Sequence, residues 1–234
     1  ATLCWGVAVI PVKLTRLPGR VGIGISMVTG VLAMSIVAGP QMLAALSLPW
    51  TEVLRFLAIG TFQFALGCAL YYESIQCGSI SVAVPVSRVK VVLILLLSVG
   101  LGLDRFTWPL LGACVLVMLG GILVGWRRRE DVPVGRPDGH RRALILAAIA
   151  CVCWTIGETL IGTLPKSVPA LASNGLMLCA GVVVYGVYAL ISGLWREFRS
   201  VPGRDIACYA AHGLIRFSLA YGLFIQAIGL SSPA

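Results

Sequence analysis

Apolar runs of roughly span length recur along the chain, each closed by a short polar or proline-bearing stretch. A helix rises about 1.5 Å per residue, so ~20 apolar residues cross a hydrocarbon core of ~30 Å. The runs cover 21–39, 53–72, 79–103, 108–126, 143–164, 171–195 and 206–229, and a shorter one, ATLCWGVAVIPV, precedes Lys13. None shows the dyad alternation of a membrane barrel, so the pattern predicts eight membrane-embedded helices. One strongly polar stretch interrupts them, RRREDVPVGRPDGHRR at 127–142.

Composition agrees. Of 234 residues, 59% are hydrophobic and 12% are charged, and the mean hydropathy is +0.96. A soluble domain is nearer ~45–50% apolar and ~25% charged. The net charge of +9 raises the question of nucleic acid. The basic residues stand between apolar runs rather than on a polar face, which reads as topology-setting loop charge, with no nucleic-acid partner. The eight cysteines lie almost wholly inside apolar runs, where cysteine acts as a small hydrophobe. Cys151 and Cys153 point about 200° apart on a helix, and no metal-ligand spacing accompanies them, so neither a metal nor another cofactor is expected. There is no Walker loop, nucleophile elbow or HExxH, and no enzyme is predicted.

The chain also repeats itself. FALGCALYYESI at 64–75 returns as FSLAYGLFIQAI at 217–228, an offset of 153. At that offset Glu52 meets Asp205, Phe56 meets Tyr209, Gly60 meets Gly213 and Phe64 meets Phe217. Cys4–Trp5 returns as Cys153–Trp154, 149 apart, a drift that one short loop insertion explains. Both matches keep their order, falling in the first and third spans of each half. The reading is a repeat of a five-span unit, one copy at 1–126 and a second at 143–234, joined by a basic linker at 127–142. An odd span count inverts the second copy relative to the first, as in many secondary transporters. Ala234 aligns with Ser81, so the second unit is expected to be truncated after its third helix and the chain to be a fragment of a ten-span protein. A true eight-span protein is the alternative.

Two stretches resemble a known family. LCWGVAVIPVK near the start resembles the opening span of the drug/metabolite transporter superfamily, EamA type. YYESIQCGSISVAVPVSRVKVVLILLLSVGLGLDRFTWPLLGACVLVMLGGILV is similar to its third-to-fifth-span stretch, with Ser79, Ala83, Pro85, Gly112, Gly120 and Gly121 fitting the pattern. Asp104 in GLDRFT departs from the usual Glu. The resemblance implies a transporter whose central cavity is lined by the first, third, fourth, sixth, eighth and ninth spans. It implies a small-molecule substrate: amino acids, sugars, nucleotide-linked metabolites or drugs. Bacterial members commonly export metabolites on a proton gradient, which implies a multi-pass protein of the inner membrane. A sugar or nucleotide-linked metabolite uptake carrier of the same superfamily is the alternative, and a non-transporting scaffold or a membrane enzyme is a further one.

Ionisable groups at membrane depth rarely face lipid, so polar residues inside the spans are the site candidates. In span four Ser81 and Arg88 are seven apart and share a face, and Pro85 frees the carbonyl of Ser81. Lys90 lies about 200° round the same helix, where it snorkels or finds a partner. In span six Trp154 and Glu158 share a face; in span eight Tyr209, His212 and Arg216 do. Gln63 is the repeat partner of Arg216, and Trp5 that of Trp154. The functional reading gives Arg88 and Arg216 a substrate carboxylate or phosphate and gives Glu158 a substrate amine or a coupling proton. The structural reading pairs Glu158 with Arg216 and Arg88 with Glu73 or a headgroup, makes interfacial anchors of Trp5 and Trp154, and leaves Gln63, Tyr209 and His212 as hydrogen-bonding groups.

Orientation follows from charge. Loops after spans one, three, five and seven hold twelve Lys and Arg, from Lys13 to Arg204; the other side holds Arg55, Arg105 and Lys166. The positive-inside bias places the 127–142 linker in the cytoplasm. The resemblance implies the opposite, since relatives more often keep both termini inside. The charge count predicts that a cysteine at Pro137, in a Cys-free background, reacts with an impermeant maleimide only after cells are permeabilised. Labelling of intact cells would show that the family orientation holds instead.

Overall fold

The computed structural model describes residues 2–15, 17–77, 80–103, 105–127, 137–165 and 167–231. Ser79, Asp104, Arg16, Lys166 and residues 128–136 of the linker lie outside the described residues. The described chain is helical, with no strand: α1 (Thr2–Lys13), α2 (Gly19–Ala45), α3 (Trp50–Gly60), α4 (Gly67–Cys77), α5 (Ile80–Arg88), α6 (Lys90–Gly100), α7 (Trp108–Arg127), α8 (Pro137–Ile161), α9 (Ala170–Ile191), α10 (Trp195–Phe198), α11 (Gly203–Gly213) and α12 (Tyr221–Ser231). Two π-helical segments, Thr61–Leu66 and Leu214–Ala220, join α3 to α4 and α11 to α12.

Six of these runs are long and apolar enough to cross a membrane, the α3–α4 and α11–α12 runs each counting once, and Leu3–Val12 and Trp108–Gly120 are shorter apolar helices. The protein is therefore an all-α, multi-pass integral membrane protein. Its outward faces are apolar: Leu3, Ile36 and Ile191 are each more than four-fifths exposed. Trp50 and Trp108 stand exposed at the starts of α3 and α7, and Trp195 at the start of α10 carries Arg199 over its ring at 4.5 Å. Such amphipathic rings suit a headgroup level.

Local sequence accounts for the helix ends and breaks. Pro18, Pro49, Pro169 and Pro202 precede α2, α3, α9 and α11. The carbonyl of each accepts the first helical bond: Val21, Glu52 and Ser173 donate at 2.9 Å and Asp205 at 3.0 Å. The fixed φ of proline orders the turn into each helix. Pro18 and Pro169 are 151 apart and Pro49 and Pro202 are 153 apart, so the helix starts obey the repeat. Pro40 bends α2 at Ala38, whose φ of −129° and ψ of 17° are not helical. The fourth apolar run is two helices, α5 and α6, broken at Val89 beyond Pro85. Gly102, at φ 70°, closes α6 in a left-handed turn: Leu103 N–H donates to Ser98 O and Gly102 N–H to Val99 O. Residues 137–142, expected within the linker, form the first turns of α8. Proline suits a first helical position.

The chain forms two compact units, one of residues 1–65 with 163–234 and one of residues 66–162. Each sequence half contributes to the first. In that unit α2 packs on α9 and α11, α3 packs on α9, and α1 packs on α11. The packing has pseudo-two-fold symmetry. A Cβ at Gly24 would meet Tyr185 and one at Gly175 would meet Met34, and both members of each pair correspond at an offset of 151. α2 and α9 therefore run antiparallel, as an inverted repeat requires. A Cβ at Gly60 would overlap the carbonyl oxygen of Met177, and one at Gly213 would overlap that of Ser26. Gly181 faces the Cβ of Phe64 as Gly30 faces that of Phe217. These glycines let α3 reach α9 and α11 reach α2 at backbone contact. Phe64 and Phe217, both fully buried, meet edge to face at 5.6 Å. In the second unit α8 takes α4, α5 and α6 against it, and α5 and α6 also pack on α7. Gly139 admits the carbonyl oxygen of Cys77, which a Cβ would approach to 2.7 Å.

Candidate functional site

Most of the sequence candidates fall into two clusters, one in each unit. In the first unit α3 runs into its π segment at Gln63, which is fully buried. Its amide Nε2 donates to Tyr221 Oη at 2.7 Å. Around that bond stand aromatic rings: Phe64 lies 5.0 Å from Tyr221, Phe217 is stacked on it at 6.2 Å, and Trp5 of α1 lies 5.5 Å from both Tyr221 and Phe224. Trp5 thus packs against the aromatic side of α12. A buried amide costs much to leave unmatched, so Tyr221→Phe is expected to lower stability by about 1–3 kcal/mol. A melting curve of the detergent-solubilised variant that superimposes on that of the parent would refute a structural role for this bond.

Tyr209 and His212 are also buried in the first unit, on α11. Ser26 of α2 donates its hydroxyl to Tyr209 O at 2.8 Å, and His212 Nδ1 lies 2.8 Å from Ser26 Oγ. Ser26 spends its one proton on the carbonyl, so Nδ1–H of His212 is the donor between them. This chain ties α11 to α2 where Gly213 brings them together. Arg216 follows one turn later, in the π segment, with its guanidinium carbon 5.8 Å from the Phe217 ring. Asn174 of α9, fully buried, donates to Phe217 O at 2.7 Å. A π segment widens the ordinary i→i−4 ladder, and Asn174 adds a side-chain bond to one of its carbonyls.

In the second unit Glu158 and Trp154 share a face of α8, as the i, i+4 spacing predicts. Glu158 Oε1 lies 2.5 Å from Lys90 Nζ, an ion pair whose side chains are 8% and 17% exposed. The same ammonium lies 5.1 Å from the centre of the Trp154 ring. Trp154 is 4% exposed and packs inside the unit. Tyr71 of α4 stands 5.0 Å from Trp154. Carboxylate and indole therefore hold one ammonium between them, the indole adding about 0.5–2 kcal/mol of cation–π attraction. Thr155 spends its hydroxyl within α8, on the carbonyl of Cys151 at 2.9 Å.

Arg88, assigned to a substrate anion by the sequence, ends α5 exposed. Ser81 lies in the first turn of the same helix. Glu73, the suggested mate of Arg88, pairs with Arg142 at 3.2 Å. The residues that sequence reasoning did not place in a site are Lys90, Tyr71, Tyr221, Ser26 and Asn174. Lys90 carried the clearest signal. A lysine inside an apolar run needs an anion, and Glu158 is the one acidic residue well inside a run.

A comparison with protein families matches residues 1–126 to the EamA-like transporter family. No curated protein and no solved structure matches the chain.

Proposed function

Because the chain belongs to the EamA-like transporter family, we propose that this membrane transporter of the drug/metabolite superfamily is a proton-driven exporter of a small polar metabolite. The substrate class is an amino acid, an organic anion or a similar molecule, and the membrane is the bacterial inner membrane. The mechanism is alternating access. Two inverted halves have near-equivalent packings, so exchange of conformation between them opens the transport path to one side and then the other. The antiparallel, pseudo-symmetric packing of α2 against α9 and of α3 and α11 on them supports this reading.

Glu158 carries the assignment. A buried carboxylate that holds an ammonium beside an indole has the chemistry of an amine site, and a carboxylate that can take an amine can also take a proton. Competition of amine and proton for one carboxylate couples their movements in opposite directions. In the first unit Arg216 is the proposed group for a substrate carboxylate or phosphate, with Gln63, Tyr209, His212 and Trp5 as its proposed polar and aromatic surroundings; in the second unit Ser81 and Trp154 are proposed beside Glu158. Arg88 serves as a headgroup-level cation.

Counterflow in liposomes tests the reading. The purified protein, loaded with a panel of unlabelled amino acids, sugars and organic anions, is expected to accumulate the matching labelled solute. Glu158→Gln is expected to lose the response of transport to a proton gradient. Transport by that variant that still follows the gradient would remove Glu158 from the coupling step.

A further inference from the structure

We propose that the ammonium of Lys90 is a tethered occupant of a primary-amine site formed by Glu158, Trp154 and Tyr71, and that substrate amines bind by displacing it. The inference rests on the reading above, in which Glu158 takes a substrate amine, and adds what holds the site in the meantime.

The geometry is that of a bound ligand. Lys90 Nζ meets Glu158 Oε1 at 2.5 Å and lies over the Trp154 ring at 5.1 Å. Tyr71 backs the indole at 5.0 Å. A carboxylate plus an aromatic face is how proteins recognise organic cations, and here the cation comes from the chain. Its position in the fold suits release. Lys90 is the first residue of α6, directly after the break at Val89 and five residues after Pro85, which takes one hydrogen bond out of the preceding helix. The ammonium sits on a flexible four-carbon stem with three rotatable donors, and no planar fork fixes it to the carboxylate as an arginine would. A static strut between α6 and α8 would be better served by arginine. The carboxylate is never left uncompensated in the apolar layer: Lys90 covers it when the site is empty and a substrate amine covers it when the site is filled.

The tethered group competes with any free amine at an effective concentration in the millimolar range. Removing its charge while keeping its apolar stem must therefore raise the affinity for added amine. The probe is n-butylammonium, which reproduces the lysine stem and head, with butyrate and n-butanol as anionic and neutral controls. Wild type, Lys90→Met and the double variant Lys90→Met/Glu158→Gln are purified in lipid nanodiscs, and binding is measured by calorimetry and by the shift in melting temperature. Lys90→Met is expected to bind n-butylammonium about ten-fold or more tightly than wild type and to regain thermal stability when the amine is added. The double variant is expected to do neither, and the controls are expected to be inert on all three. An affinity in Lys90→Met no greater than in wild type, or one that survives in the double variant, overturns the proposal. Should Lys90→Met fold poorly, it is purified with n-butylammonium throughout: recovery that needs the amine supports the site, and failure to recover even then refutes it. Counterflow separates this from the transport reading. Rescue by the amine with no solute exchanged by wild type sinks transport and leaves the amine site. Exchange by wild type with no gain of affinity in Lys90→Met does the reverse.

Discussion

Glu158→Ala is expected to cost about 3–5 kcal/mol of stability, the loss that follows when one member of a buried ion pair is removed and the other is left uncompensated. Lys90, 17% exposed, would stand beside Trp154 without the carboxylate that now balances it. The physical cause is desolvation: an ammonium inside a span has given up water for Glu158 and the indole, and only the indole remains. The double variant Lys90→Met/Glu158→Gln removes both charges and keeps both shapes, so most of the loss is expected to return. Melting temperatures of Lys90→Met, Glu158→Gln and the double variant in detergent give the coupling directly. Additive losses would show that the two groups do not depend on each other, whatever the distance between them.

Gly213→Ala is the second large effect expected, and it tests the helix crossings rather than the site. A Cβ there would overlap the carbonyl oxygen of Ser26 and stand 2.9 Å from its carbonyl carbon and Cα. These are backbone atoms of α2, which no rotamer change can clear. Helices α2 and α11 would have to part, and with them the Ser26 bridge between Tyr209 and His212. The loss is expected at or above the top of the usual ~1–3 kcal/mol range for overpacking. Gly60→Ala, which collides with Met177 on α9, should behave alike, because it is the same contact in the other half of the pseudo-symmetric pair. Gly186→Ala is the control. Nothing lies within 4 Å of its Cβ position, and alanine in place of a helical glycine is expected to gain about 0.5–1 kcal/mol. Equal melting of the Gly213 and Gly186 variants would mean that the close crossings do not set stability.

Several features of this protein could be read from the chain because they are local. The apolar runs marked the helices, since length and hydropathy decide what can cross hydrocarbon. The echo between 64–75 and 217–228 has a conformational counterpart. At the same offset of 153, each copy carries a proline before the helix, a glycine at backbone contact and a π segment beyond it. The prolines were visible in the sequence as a second repeat signal. The π segments were not, because an extra residue per turn leaves no mark on an apolar run and follows from what the helix packs against. The faces of α8 were legible too: four residues is one turn, so Trp154 and Glu158 had to stand together.

Partnership was the part that only the tertiary structure decided. From the chain, Glu158 could be matched with Arg216 and Arg88 with Glu73, and each match was chemically sound. The fold brings Lys90 to Glu158 and Arg142 to Glu73, two partnerships the chain did not single out. The reason is that helical periodicity fixes the angle of a side chain about its own axis and says nothing about which helix lies opposite. Packing α6 and α4 against α8 settles it, and that packing follows from glycines, prolines and side-chain volumes distributed over residues far apart in sequence. Composition and period determined that this chain is a bundle of membrane helices with an internal repeat. Which charges meet inside it is a property of the assembled helices, because a Coulombic contact depends on a distance that no single helix contains.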